Sequence, residues 1–161
     1  MKQEIERKFL VSDDGWRGRA IPELYRQGYI ARAQDRAVRV RIAGNRGELA
    51  IKIRRNPGLT RDEYEYSIPL EDAKSLLGSI PPGEVLEKYR YTFVENGLTW
   101  EVDEFLGANA GLIIAEVELD SEDQPIVYPP WLGKEVSRIS RYFNAELAQQ
   151  PYTSWKDDIE N

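Results

Sequence analysis

The feature that most constrains this chain is a two-residue alternation of apolar and polar side chains running from residue 2 to about residue 119. A strand sends successive side chains to opposite faces, so this period reads as strand and not as helix. Eight segments carry it: Gln3–Val11, Tyr25–Ala31, Ala37–Ala43, Glu48–Arg54, Thr60–Ile68, Leu86–Phe93, Thr99–Phe105 and Leu112–Leu119. Gly44-Asn45-Arg46-Gly47 reads as a tight hairpin, and Asn56-Pro57-Gly58 and Glu95-Asn96-Gly97 as loop tips, so the order is a meander. Helices are few. Glu71–Leu77 follows Pro69 with the spacing and acidic start of a short helix, and Ser137–Gln149 is expected to form a longer one.

In a one-sided sheet the polar set faces water, yet these polar sets are unusual. Glu4, Glu6 and Lys8 share one face; Arg39 and Arg41 lie between Val38, Val40 and Ile42; Lys52 and Arg54 fall together. Arg61, Glu63, Glu65 and Ser67 share a face, Lys88 and Arg90 flank Tyr89, Glu101 and Asp103 flank Val102, and Glu116 and Glu118 flank Val117. A solvated face explains any single strand. The set as a whole repeats like-charged pairs about 7 Å apart along a strand, which repel. Such pairs make sense where a divalent cation bridges carboxylates and a polyanion lies between arginines.

Composition narrows the chemistry. With 41% hydrophobic and 31% charged residues, the 161-residue chain is expected to fold as one globular domain over 1–161. There is no cysteine and no histidine, which excludes disulfides, thiolate or imidazole metal sites and histidine-based triads. Catalysis therefore falls to carboxylates, lysine, arginine, tyrosine or hydroxyls. A formal net charge of −6 argues against nucleic acid or an anionic membrane as partner. No apolar run of membrane-spanning length and no signal-like N-terminus is present, so a cytoplasmic protein is expected.

The run Glu4-x-Glu6-x-Lys8 matches the ExExK signature of the CYTH, or triphosphate tunnel metalloenzyme, superfamily. Its place in the first strand is followed in order by Arg39-x-Arg41, Lys52, Glu63-x-Glu65, Lys88-x-Arg90, Asp103 and Glu116-x-Glu118, and the resemblance spans almost the whole chain. Glu4–Val11, Arg26-Gln27-Gly28-Tyr29 and Ala115–Leu119 resemble the small bacterial members in particular. The resemblance implies a mainly β (α+β) fold: an eight-stranded antiparallel β-barrel, or tunnel, with a few helices outside it, one of them C-terminal. It also implies that acids hold magnesium or manganese while bases grip a triphosphate.

Hard divalent cations take carboxylate oxygens, which favours Glu4, Glu6, Asp103, Glu116 and Glu118 as metal ligands, with Glu63 and Glu65 ranked behind them. Lys8, Arg39, Arg41, Lys52, Arg54, Lys88 and Arg90, with Arg61 as a further candidate, suit the triphosphate, and no Walker glycine loop is present to do that work. The expected reaction is in-line attack of a metal-activated water on a terminal phosphorus, releasing pyrophosphate and phosphate. Lys8 is the candidate base, paired with Tyr29 as the family implies. One departure stands out. Many relatives have a Lys-Arg-Tyr run near the C-terminus where this chain has Ser140-Arg141-Tyr142, and Arg138 or Lys134 are the residues able to replace the missing charge. Inorganic triphosphate is the expected substrate. Thiamine triphosphatase, nucleoside triphosphatase and class IV-type adenylate cyclase are alternatives within the enzyme class, and a polyphosphate-binding module outside it. The outward apolar residues Ile5, Phe9, Val38, Val40, Ile51, Ile53 and Tyr64 need cover, for which a homodimer is one expectation.

Overall fold

The computed structural model describes residues 1–158. Strands β1 (Lys2–Val11), β2 (Glu23–Arg32), β3 (Arg36–Ala43), β4 (Arg46–Ile53), β5 (Thr60–Ile68), β6 (Leu86–Glu95), β7 (Leu98–Phe105), β8 (Ile113–Glu118) and β9 (Leu132–Glu135) form one sheet in the order β5-β4-β3-β2-β6-β7-β8-β1-β9. A further pairing of β5 with β1 closes the first eight into an antiparallel barrel. Closure removes the exposed strand edges that an open sheet would present. It depends on β1 serving two neighbours in turn: Lys2–Ile5 pair with β5, and Glu6–Phe9 pair with β8. β9 then pairs with Phe9 and Val11, beyond the barrel wall.

Two of the three apolar clusters lie on the outward faces of the strands, while Leu86, Phe105, Leu112 and Ile114 share the face of the inward charges and fill one end of the barrel. Phe9, Trp100, Val102 and Val117 are buried beneath Trp16, from the β1–β2 connection, and Trp131, which leads into β9. Trp100 and Trp131 meet edge-to-face with centroids 5.3 Å apart, a geometry that adds to the burial itself. Helix α1 (Leu70–Gly78) lays Ala73 and Leu77 over Val40 and Ile42. Gly28 on β2 permits this approach, because a Cβ there would stand 2.6 Å from Ile80 Cδ1. The C-terminal segment covers Leu86, Phe105, Leu112 and Ile114 with Val136, Tyr142, Leu147 and Trp155.

The last segment corrects the expected helix at Ser137–Gln149. It is a 3-10 turn at Ser140–Tyr142, an extended Phe143 (φ −76°, ψ 140°) and a four-residue helix α2 (Asn144–Leu147). The cause is tertiary. Val136 N–H donates to the Lys8 carbonyl at 2.8 Å, and the Lys8 N–H donates to Ser137 Oγ at 2.9 Å, so the chain is tied to the edge of β1 where a helix would have begun. The short strand β9 was not anticipated either, because Leu132-Gly133-Lys134-Glu135 carries no alternation to betray it. Among the described residues no helix is long and apolar enough to cross a membrane.

Candidate active site

The inward faces of the barrel strands enclose a cavity of about 690 Å³. Twelve cationic side chains and nine carboxylates line it. In the ring of strands β2 lies four places from β1 in either direction, so the two face each other. Glu4, Glu6 and Lys8 of β1, with Glu116 and Glu118 of neighbouring β8 and Glu63 of β5, form one wall. Gln27 and Tyr29 of β2, flanked by Arg39 and Arg41 of β3 and Lys88 and Arg90 of β6, form the wall opposite. Register sets the closest approaches: Glu6 pairs across from Glu118, Lys8 from Glu116, Lys52 from Glu63, and Arg90 from Asp103.

Every inward cation of the wall holds a carboxylate. Lys8 Nζ lies 2.7 Å from Glu116 and 3.2 Å from Glu6; Arg61 lies 2.6 Å from Glu4 and 3.5 Å from Glu6. Lys52 is shared between Glu4 at 3.2 Å and Glu63 at 3.4 Å. Arg39 contacts Glu65 at 3.1 Å, and Arg41 contacts Glu48 at 3.3 Å and Glu65 at 3.6 Å. The guanidinium groups of Arg41 and Arg90 each lie 4.8 Å from the Tyr25 ring centroid, which fixes both against β2.

These contacts shift the ionisation of the wall. Burial pushes the Glu6 carboxyl up, and neighbouring Glu116 adds to it, to about 7. Burial also raises Glu63. Glu4 and Glu116 go the other way: burial opposes their charge, but Lys52 and Arg61 beside Glu4, and Lys8 and Arg90 beside Glu116, hold both below the ordinary carboxylate range. Lys8 is buried, yet Glu116 and Glu6 outweigh that and hold its ammonium protonated above the ordinary lysine range. Burial, aided by Arg90, draws Lys88 down to about 8 against the pull of Asp103.

The sequence-derived candidates therefore sort by position. Glu4, Glu6, Glu63, Glu65, Glu116 and Glu118 line the cavity together with Lys8, Tyr29, Arg39, Arg41, Lys52, Arg54, Arg61, Lys88 and Arg90. Asp103 does not. It is fully buried on the inward face, beside Ile114 at the apolar end of the barrel, accepting from Arg90 Nε at 2.7 Å and Arg90 Nη2 at 2.8 Å and pairing with Lys88 Nζ at 2.8 Å, so both of its oxygens are already engaged. Lys8 and Tyr29 both reach the cavity, but no hydrogen bond joins them among those of the described residues, and Lys8 is held by its two glutamates instead. Arg54 lies past the end of β4, exposed at the mouth.

Several wall residues lay outside the sequence-derived set. Asn144 Oδ1 accepts from Lys88 Nζ at 2.9 Å and from Gln27 Nε2 at 3.3 Å, which docks α2 onto the basic wall. Gln27 was readable, since it shares a strand face with Tyr25 and Tyr29; Asn144 was not, because its role depends on where the irregular C-terminal segment lands. Glu101 lines the cavity and accepts from Arg90 Nη1 at 2.8 Å. Near the C-terminus Ser140 faces the cavity, while Arg141 turns away to lie 5.0 Å from the Trp155 ring. Arg138 lines the cavity in its place.

Among the described residues no three carboxylates converge closely enough to hold an ion as they stand. The donor set nonetheless fits a hard divalent cation. Glu4, Glu6, Glu63 and Glu116 gather on three adjacent strands with only oxygen donors, and Glu6 and Glu63 are raised by burial first and by their carboxylate neighbours second, against the pull of the nearby lysines.

Comparison with known proteins agrees with this architecture. The CYTH domain family matches residues 2–152. An inorganic triphosphatase of Acetivibrio thermocellus is 46% identical over 157 residues, covering 98% of this chain and 100% of the relative. An inorganic triphosphatase of Nitrosomonas europaea is 37% identical over 150 residues, covering 90% of this chain and 96% of its own. A solved inorganic triphosphatase structure superposes with a TM-score of 0.65 at 34% identity, over 89% of this chain and 96% of that one. A closed barrel with this ordered set of inward charges, matched over nearly its full length, places the chain in the CYTH family.

Proposed function

We propose that the protein hydrolyses inorganic triphosphate to pyrophosphate and phosphate with magnesium or manganese as cofactor. The observation that carries the reading is the enclosed cavity in which Glu4, Glu6 and Glu116 face Arg39, Arg41 and Lys88 across one lumen. The full-length relatives that are inorganic triphosphatases support it. Glu4, Glu6, Glu63, Glu116 and Glu118 would hold the metal, which when bound supplies positive charge and Lewis-acid polarisation at the phosphoryl oxygens.

The chain's own residues supply positioning. Arg39, Arg41, Lys52, Arg61, Lys88 and Arg90 are aimed into the lumen by strand alternation, and each is already oriented by a carboxylate. A polyanion entering the cavity gains these cations at little cost in side-chain ordering, and they stabilise charge on the transferred and leaving oxygens. Asp103 and Glu65 act as anchors for arginines and Lys88 in this scheme, not as metal ligands. Lys8, held protonated, acts as a cation toward substrate and as the tether of Glu6 and Glu116, not as a base.

The test is phosphate release from tripolyphosphate, ATP and thiamine triphosphate, each with magnesium, manganese or chelator. Metal-dependent release from tripolyphosphate far above the other two is expected. Metal-dependent binding without turnover would instead favour a polyphosphate-binding module, and equal turnover of ATP a nucleoside triphosphatase. A Lys8→Ala variant with full activity would remove Lys8 from the scheme altogether.

The same reading includes a homodimer, because Val38, Ile51 and Tyr64 form a cross-strand row that is only half-buried beyond the reach of α1. Sedimentation at micromolar concentration should return twice the chain mass; a monomer counts against it. It also includes a cytoplasmic location without nucleic-acid or membrane partners, for which the −6 net charge and the absence of cysteine are the support. Recovery in a membrane or exported fraction would overturn that.

A further inference from the structure

Two of the lumen cations have a partner that is not a carboxylate. The guanidinium carbons of Arg41 and Arg90 each lie 4.8 Å from the centroid of the Tyr25 ring, inside the ~6 Å over which a ring face attracts a cation. Register explains why one ring serves both. Tyr25 sits on β2, with β3 on one side and β6 on the other. It shares the inward strand face with Gln27 and Tyr29, opposite Ala43 on β3 and Lys88 on β6. Arg41 stands opposite Gln27, two residues along β2 in one direction, and Arg90 opposite Glu23, two residues in the other. Both are diagonal neighbours of Tyr25, about 7–8 Å away, a span that long side chains cover. The two arginines therefore come to the ring from opposite strands and opposite directions. None of the three side chains belongs to a residue more than 9% exposed, so little water screens the attraction.

Carboxylates fix only the edges of these guanidiniums. Arg41 donates Nε and Nη2 to Glu48 at 3.3 Å each, while Arg90 donates Nε and Nη2 to Asp103 and Nη1 to Glu101. A guanidinium carries more N–H groups than these contacts use, and both arginines line the cavity, so each keeps donors for a ligand. Where those donors point depends on what the flat faces rest against. Two guanidiniums drawn to one site also repel each other. A further carboxylate would offset that repulsion but compete with an anionic ligand for the same N–H groups, whereas an aromatic face attracts the cation and takes no N–H. Resting on the reading above, we propose that Tyr25 is a positioning residue of the triphosphate site: its ring holds Arg41 and Arg90 at a fixed spacing and aims their remaining N–H groups at the phosphoryl oxygens of one substrate. Tyr25 acts through the arginines, so its ring is needed and its hydroxyl is not.

The experiment compares Tyr25→Phe, Tyr25→Leu and Tyr25→Met with the wild-type chain, each alone and on an Arg41→Ala background, with thermal melting as the check on folding. Phe keeps the ring face; Leu and Met keep apolar bulk without it. The KM for tripolyphosphate should stay within about twofold in Tyr25→Phe and rise at least ~tenfold in Tyr25→Leu and Tyr25→Met, with kcat changed less than about threefold. Calorimetric titration of tripolyphosphate in chelator should show the same pattern of affinities, whether or not turnover occurs. On the Arg41→Ala background, where one of the two cations is gone, Tyr25→Leu should cost only about threefold in affinity. An undiminished cost on that background, a Phe variant as weak as the Leu one, or folded Leu and Met variants with wild-type affinity would each overturn the positioning role. Absence of wild-type turnover of tripolyphosphate with either metal, beside the expected affinities, would sink the hydrolase reading and leave the role of Tyr25 standing.

Discussion

On β1 two chemistries share one strand. Glu4, Glu6 and Lys8 turn inward to a lumen of competing charges, while Ile5 and Phe9 turn outward into a core that includes Trp100 and is roofed by Trp16 and Trp131. The same division runs through β6, where Lys88 and Arg90 face inward and Phe93 packs outward. Burial of apolar area is the dominant favourable contribution to folding, and here two of its three clusters lie outside the barrel while the third closes one end of the interior beneath the C-terminal segment. The inside can therefore remain electrostatically unresolved without loss of the fold. Burial, with the crowding of Glu116 added to it, pushes Glu6 up to about 7.

If that division is right, the largest loss of stability should come from the shell. Trp100→Ala is expected to cost about 3–5 kcal/mol in urea unfolding, with activity per folded molecule little changed. Trp100→Phe should cost far less, because the buried indole N–H has no hydrogen-bond partner to lose. A Trp100→Ala protein that melts normally but has lost turnover would break the comparison.

Asp103 is the interior residue expected to behave like the shell. Its removal leaves Lys88 and Arg90 buried without their shared carboxylate, and Asp103→Ala should destabilise by about 3–5 kcal/mol. Were Asp103 a metal ligand instead, the variant would keep its stability in chelator and lose metal binding, a result calorimetry would reveal.

Glu6 should show the opposite sign. Its folded pKa lies above the ordinary value, so the folded state binds more protons than the unfolded one between about pH 5 and pH 7, and stability falls as pH rises through that window. In chelator the loss should reach roughly 3 kcal/mol, with Glu63 acting in the same direction. Glu6→Gln should flatten the slope and keep or raise the melting midpoint, while reducing tripolyphosphate turnover at least ~100-fold. A wild-type midpoint that climbs from pH 5 to pH 7 would contradict the burial of Glu6 beside Glu116.

The smallest effect belongs to the seam between helix and barrel. Gly28→Ala brings a methyl against Ile80 Cδ1, the end of a side chain that can yield. A cost of about 1 kcal/mol is expected, measurable as a small shift in the urea midpoint without change in the charge network.

Much of this was legible beforehand, for particular reasons. The strands at Thr60–Ile68 and Leu86–Glu95 announced themselves because a closed barrel with unlike faces demands alternation along its whole wall. α1 was legible from its spacing after Pro69. The residues from 137 to 149 misled, since apolar positions at helical spacing serve equally well in turns that drop Val136, Tyr142 and Leu147 one by one onto the barrel. Asp103 shows a different limit. Its spacing from Glu101 is that of a two-carboxylate face, and nothing local reveals that Lys88 and Arg90 take all of its oxygens.

By itself, then, the sequence determined that this chain forms β-strands with one charged and one apolar face, that the charges include both signs in quantity, and that histidine and thiol chemistry play no part. Those are consequences of backbone geometry and residue identity, which act over a few residues. Only the tertiary structure decided which cation each carboxylate keeps, that Asn144 at the start of the short α2 closes on Lys88, and that Arg54 and Arg138 are left without a carboxylate partner among the described residues. The reason is physical: an ion pair depends on separations of a few ångströms between strands distant in sequence, and barrel register alone sets those separations.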